Sequence, residues 1–154
     1  MTTGYVERIY VAPRGGASAE RVVEVGTLEG LGLEGDRYSD GTGHWSRFGL
    51  RACGVTLVTA EGLEAMQEEA GIRVMNGEHR RNLVTRGLDL AVLRRRRLRI
   101  GDAIFEYQKP CSICRHVERL TEPGMTEALK GRGGICARIL KGRKIREGDP
   151  ITLL

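Results

Sequence analysis

Two seven-residue segments follow one pattern. Leu98-Arg99-Ile100-Gly101-Asp102-Ala103-Ile104 and Ile145-Arg146-Glu147-Gly148-Asp149-Pro150-Ile151 both read apolar-Arg-x-Gly-Asp-x-Ile. A Gly-Asp pair between two strand-like runs is a tight-turn signal, because Gly accepts the positive φ such a turn requires. The pattern therefore predicts two similar strand entries into one sheet or barrel. The wider composition agrees. The chain has 22 glycines in 154 residues and only 5% aromatics, which favours short strands joined by turns over long helices. At this length one domain spanning residues 1–154 is expected, with enough chain to bury a core without disulfides or a structural metal.

Local patterns fill in the order of elements. Val6, Ile9 and Val11 predict an opening strand, and Arg21-Val22-Val23-Glu24-Val25 a second. Gly54 to Val58 reads as a strand. Thr59 is placed to N-cap a helix running to Ala70, with Leu63, Met66 and Ala70 on one stripe and Gly71 as its stop. Asn82 to Thr85 is strand-like, and Thr121 before Glu122-Pro123 suggests a further helix ending by Gly131. The segment from Ser39 to Gly49, with His44 and Trp45, reads as a surface loop. So few helices argue against a parallel βαβ sheet. The expected class is mainly β: a small β-barrel with two or three short helices.

Composition bounds function. No run of about 18 apolar residues is present, and Met1 to Glu20 lacks a secretory pattern, so a soluble cytoplasmic protein is expected. Net charge is +5 (25 basic less 20 acidic residues), which suits an anionic ligand. The run Arg94-Arg95-Arg96-Arg97 has no interleaved aromatics and leads into a strand, so it reads as a solvated turn rather than a nucleic-acid contact.

Three segments carry chemistry. Lys109-Pro110-Cys111-Ser112-Ile113-Cys114-Arg115-His116 is a Cys-x-x-Cys flanked by positive charge, which would lower a thiol pKa. A structural zinc site is not expected, since a second Cys pair is missing and Cys53 and Cys136 stand singly in strand-like segments. A thioredoxin-like dithiol would need a βαβ setting. A thiolate here also suits a soft transition-metal centre. His79-Arg80-Arg81-Asn82 offers arginine forks for a phosphate or carboxylate, or a solvated charge cluster. Gly35-Asp36-Arg37 either contacts a ligand or closes a turn through an internal ion pair.

Taken in order, these pieces resemble the MOSC domain, the C-terminal module of molybdenum-cofactor sulfurases that also occurs as stand-alone proteins. The matching stretches are Gly30 to Arg37, Arg81 to Leu90, Leu98 to Ile104, Pro110 to Cys114, Arg132 to Leu140 and Ile145 to Asp149. The resemblance implies a MOSC, pyruvate-kinase-barrel-like fold that binds the molybdenum cofactor (molybdopterin). Its key thiol would be Cys114, with Cys111 as the alternative, acting as molybdenum ligand or persulfide carrier. Arg80, Arg81 and Asn82 match the family's Arg/Asn stretch that holds cofactor phosphate and pterin, and Ser112, Asp36 and Arg37 join them as cofactor contacts. Tyr38 departs from the pattern, where many members carry His. No pyridoxal phosphate, flavin or iron–sulfur module is expected in this chain, so a separate sulfur donor or electron-transfer protein is implied. The activity class stays open between sulfurtransferase, molybdenum-dependent oxidoreductase acting on N-hydroxylated compounds, and non-catalytic cofactor or sulfur carrier.

Overall fold

The computed structural model describes residues 3–37, 53–94, 96–111 and 119–154. Tyr38, His44, Trp45, Ser112, Cys114, Arg115 and His116 lie outside the described residues, as does the loop expected from Ser39 to Gly49.

The chain closes a barrel. In order it forms β1 (Thr3–Val11), β2 (Glu20–Val22), β3 (Glu24–Val25), β4 (Thr27–Leu28), β5 (Gly32–Leu33) and β6 (Val55–Thr59). There follow helix α1 (Ala60–Ala70), β7 (Leu83–Arg86), α2 (Leu90–Leu93), β8 (Arg97–Ile100) and β9 (Ala103–Pro110). Last come α3 (Met125–Ala128), β10 (Ile135–Lys141), β11 (Ile145–Arg146) and β12 (Pro150–Leu153). Seven strands, β12-β8-β9-β10-β6-β7-β1, pair in a ring, because β1 also pairs with β12, and β2 extends the sheet from β1. Closure leaves no unpaired edge within the ring.

Alternation along the strands sorts residues into two layers. Val6, Ile9, Val55, Leu57, Leu83, Leu98, Ile100, Phe105, Ile135, Ala137, Ile139 and Ile151 share the larger core cluster, which fills the barrel. Tyr10, Val58 and Val84 face outward and join Leu63 and Met66 of α1, with Met125 and Leu129, in a second cluster. Full burial of Leu63 and Met66 contributes about 1.5–3 kcal/mol each. The helix begins and ends where expected: Thr59 Oγ1 accepts from Gly62 N–H, and Gly71 closes it at φ 66°.

Four expectations are corrected. The strand expected over Arg21–Val25 breaks at exposed Val23, because β2 pairs with β1 whereas β3 pairs with β11. The helix expected from Thr121 starts only at Met125, with Gly124 at its N-cap. Pro123 disfavours helical geometry at Glu122, whose side chain instead accepts from Arg73 N–H at 2.6 Å. One βαβ unit does occur: β6 and β7 pair in parallel with α1 as the crossover, inside an otherwise antiparallel ring. Finally, the two matched segments share a turn but differ in topology. Gly101-Asp102 joins β8 to β9 as a two-residue hairpin, whereas Gly148-Asp149 passes the chain from β11 on the β3 pair to β12 in the barrel.

Candidate functional site

The site is built on the outer face of the barrel. Ladder pairing sets Lys109 of β9 opposite Cys136 of β10, and Cys136 opposite Thr56 of β6. Beyond Thr56 the same row continues through Asn82, just before β7, to Tyr10 of β1. Asn82 stitches the row together. Its Oδ1 accepts from Thr56 N–H at 3.0 Å and Thr56 Oγ1–H at 3.1 Å, and its Nδ2 donates to Tyr10 C=O at 3.1 Å. Thr56 Oγ1 in turn accepts from Asn82 N–H at 2.9 Å. Asn82 therefore spends its side chain on neighbouring strands rather than presenting it outward.

Basic groups lie over this row. Arg37, Arg80 and Arg81 are all buried, as are Asp36 and His79. Arg81 Nε donates to Gly133 C=O at 2.7 Å, which fixes its guanidinium beside the β10 entry. Arg37 donates to Asp36 Oδ1 at 3.3 Å and to Arg80 C=O at 2.9 Å, and Asp36 Oδ1 also accepts from Ala12 N–H. The Asp36–Arg37 pair thus closes the turn, as one of its two sequence readings had it, while keeping a cation near the thiols. Arg80 is the one described non-glycine residue with positive φ, 65°, a conformation costing of order 1–2 kcal/mol. It is held there by its own N–H on Gly77 C=O and by the Arg37 bond to its carbonyl. A cavity of about 330 Å³ opens beside Arg80, lined also by Ser18, Arg73, Asn76 and Thr121.

Cys111 follows β9 and is half-buried. Its N–H donates to Gly134 C=O at 2.9 Å, so it stands opposite Gly134 and on the same face as Cys136. Gly134 has to be glycine: a Cβ there would lie 1.9 Å from Leu57 C=O, and its φ is +90°. The sequence expectation of a lowered thiol pKa is overturned for Cys111. The neighbouring Cys136 thiol, and then burial, push it well up, against the opposing pull of Arg81 and Arg37. Cys136 is lowered by Cys111, but the Cys53 thiol and burial outweigh this and leave it pushed up to about 12. The flanking Lys109 acts on Cys136, directly across the ladder from it.

Sequence reasoning did not single out His79 or Cys136. His79 is fully buried, edge-on to Tyr10, with its pKa lowered to about 3 by burial and then by Arg81, Arg8 and Arg80. Its Nδ1 accepts from Arg81 N–H at 2.9 Å, so the ring proton is on Nε2, a buried donor with no partner among the described residues. The His-Arg-Arg-Asn spelling was visible in the sequence, but not the burial of its imidazole. Nothing in the sequence paired Cys136 with Cys111, since 25 residues separate them and only the ladder brings them together.

The structure thus gathers Cys111, Arg37 and Arg81 around one patch and makes Asn82 and Asp36 its internal fasteners, while the Arg80 guanidinium donates to Ala17 C=O beside the cavity. It leaves the arginine run elsewhere: Arg94 and Arg96 are exposed, and Arg97 pairs with Glu106 at 3.1 Å. Among the described residues no helix is long and apolar enough to cross a membrane.

No curated protein sequence matches the chain. Solved structures do match in fold. The YUAD protein from Bacillus subtilis aligns at TM-score 0.79 and 16% identity, covering 97% of this chain and 94% of its own. YiiM from Geobacillus stearothermophilus aligns at TM-score 0.73 and 17% identity, covering 98% and 75%. YiiM from Escherichia coli aligns at TM-score 0.67 and 20% identity, covering 96% and 69%. The MOSC domain family model matches residues 45–152, which include β6 to β10 with Arg80, Arg81, Cys111 and Cys136. That match spans most of the barrel and the greater part of the site, and on it the chain belongs to the MOSC domain family.

Proposed function

We propose that this MOSC protein binds the molybdenum cofactor at the Cys111 patch, with a cysteine thiolate serving as molybdenum ligand or as carrier of the sulfur destined for it. The observation that carries this reading is the convergence of buried guanidinium groups on a half-buried thiol: Arg81 and Arg37 both act on Cys111. The donor set fits such a group. Guanidiniums take phosphate oxygens through paired donors, a thiolate suits a soft metal centre, and the orphaned His79 Nε2–H suits an acceptor oxygen. Arg81 and Arg37 would hold the phosphate end, and Cys111 or Cys114 the metal end. When bound, the group supplies two-electron chemistry at molybdenum.

The chain's own part is electrostatic. Cys111 Sγ keeps its proton at rest, under the influence of Cys136 and burial. Were Cys111 to ligate a soft metal centre, its Sγ would give its proton to solvent, and Arg81 and Arg37 would stabilise the resulting thiolate. The Arg81 bond to Gly133 C=O holds that guanidinium ready, so little reorganisation is needed. The same residues would serve a non-catalytic carrier, with Cys111 holding the sulfur. Either form draws on a separate sulfur donor or electron-transfer protein.

The test is molybdenum and pterin content of protein purified from a cofactor-competent host. Content approaching one per chain is expected. Cys111→Ser and Cys114→Ser, made separately, identify the ligand. Arg81→Ala should weaken retention roughly 10- to 100-fold, as loss of a charge-assisted contact worth about 1.5–3 kcal/mol predicts. Joint replacement of exposed Arg94 and Arg96 by Ala should change it little. Protein free of pterin that retains nucleic acid, and loses it with Arg94 and Arg96, would refute the reading. Turnover of N-hydroxylated compounds with added reductant separates enzyme from carrier.

A further inference from the structure

Cys111 and Cys136 stand one diagonal step apart on the same face of adjacent antiparallel strands. Lys109 is opposite Cys136 and Cys111 is bonded to Gly134, so residues 109 and 111 on one strand and 134 and 136 on the other share that face. Their thiols act directly on each other, and Cys53 extends the contact from the far side of Cys136. The two differ in access: Cys111 is half-buried and Cys136 only 3% exposed. No disulfide joins them; all three described cysteines are free.

We propose that Cys111 and Cys136 form a reversible disulfide by exchange with a small-molecule disulfide of the glutathione class. The Cys111 thiolate attacks one sulfur of the small disulfide, whose S–S bond breaks and releases one small thiolate that takes up the Cys111 proton. The Cys136 thiolate then attacks the Cys111 sulfur of the mixed disulfide, releasing a second small thiolate that takes up the Cys136 proton. The two protein thiols are oxidised by two electrons and one small disulfide is reduced to two thiols. Access sets the order, since the buried Cys136 meets the reagent only through Cys111. Excess reducing thiol reverses the disulfide. The proposal does not depend on the cofactor reading, because it concerns the thiol pair alone.

The experiment equilibrates the full-length protein with oxidised glutathione, quenches free thiols by alkylation, and maps disulfides by tryptic mass spectrometry without reduction. The expected product links Cys111 to Cys136, with fragmentation separating Cys111 from Cys114 on their shared tryptic peptide, and dithiothreitol restores Cys111 alkylation. In Cys136→Ser the Cys111–glutathione mixed disulfide should last at least about tenfold longer, because the resolving thiol next to it acts at high effective concentration. Cys53→Ser should leave the linkage intact. A dominant Cys111–Cys114 or Cys53–Cys136 bond, or a persistent mixed disulfide in the wild-type chain, would overturn the proposal. The wild-type map decides the matter even where a variant fails to fold.

Discussion

Replacing Asn82 by Ala tests whether this residue is a strand fastener or a ligand contact. The side chain is 1% exposed and makes three hydrogen bonds, to Thr56 N–H, Thr56 Oγ1 and Tyr10 C=O. Truncation loses bonds worth about 0.5–1.5 kcal/mol each, and leaves buried backbone groups of Thr56 and Tyr10 short of partners, which raises the cost further. A destabilisation of about 2–5 kcal/mol follows. For a chain of this size each kcal/mol lowers Tm by roughly 2–4 °C, so a fall of about 4–20 °C is expected by circular dichroism. Asn82→Asp keeps the acceptor but sets an oxygen against Tyr10 C=O, and should fall comparably. Thr56→Val loses only the hydroxyl's two bonds and should fall less. If Asn82→Ala melts within about 2 °C of wild type yet loses bound pterin, the fastener argument is wrong and Asn82 is a ligand contact.

Three further outcomes are expected. Gly134→Ala should destabilise severely or abolish soluble expression, since the new Cβ would meet Leu57 C=O at 1.9 Å, whereas Gly16→Ala, with open space around it, should cost only its φ strain; thermal melts compare them. His79, held near pKa 3 against an ordinary 6.5, contributes stability that is fully present above pH 6.5 and is lost as pH falls from there toward 3, because the unfolded chain then binds the extra proton. Urea unfolding at pH 7, 5.5 and 4.5 should show a slope reduced by up to about 1.4 kcal/mol per pH unit in His79→Asn, which keeps an acceptor for Arg81 N–H; an unchanged slope refutes the assignment. Cys111 should alkylate slowly with iodoacetamide at neutral pH and faster, by about tenfold per unit, as pH rises, and rapid labelling at pH 7 would show that Arg81 and Arg37 outweigh Cys136 and burial.

Local chemistry was legible wherever it is decided by neighbours in sequence. Thr59 and Gly71 bounded α1 because a cap is a contact within one turn, and Val6, Ile9 and Val11 marked β1 as a strand, but only the pairing, irregular between Val6 and Arg8, sets Val6 and Ile9 together in the barrel core. The resemblance carried by the glycine and arginine stretches pointed to a closed β-barrel before any contact was known, and seven strands close it. The tertiary structure alone decided what the polar residues do. Asn82 and Arg81 are adjacent in sequence, yet one turns its side chain into the Thr56–Tyr10 row and the other anchors on Gly133, because each faces a different neighbouring strand. The Cys-x-x-Cys spacing directed attention along the chain, while the partner of Cys111 lay across the ladder at Cys136. Charge beside the Cys-x-x-Cys in sequence predicted a lowered thiol; at Cys111 burial and a second thiol reverse the sign, since desolvation and hydrogen bonding depend on what packs around the sulfur in space.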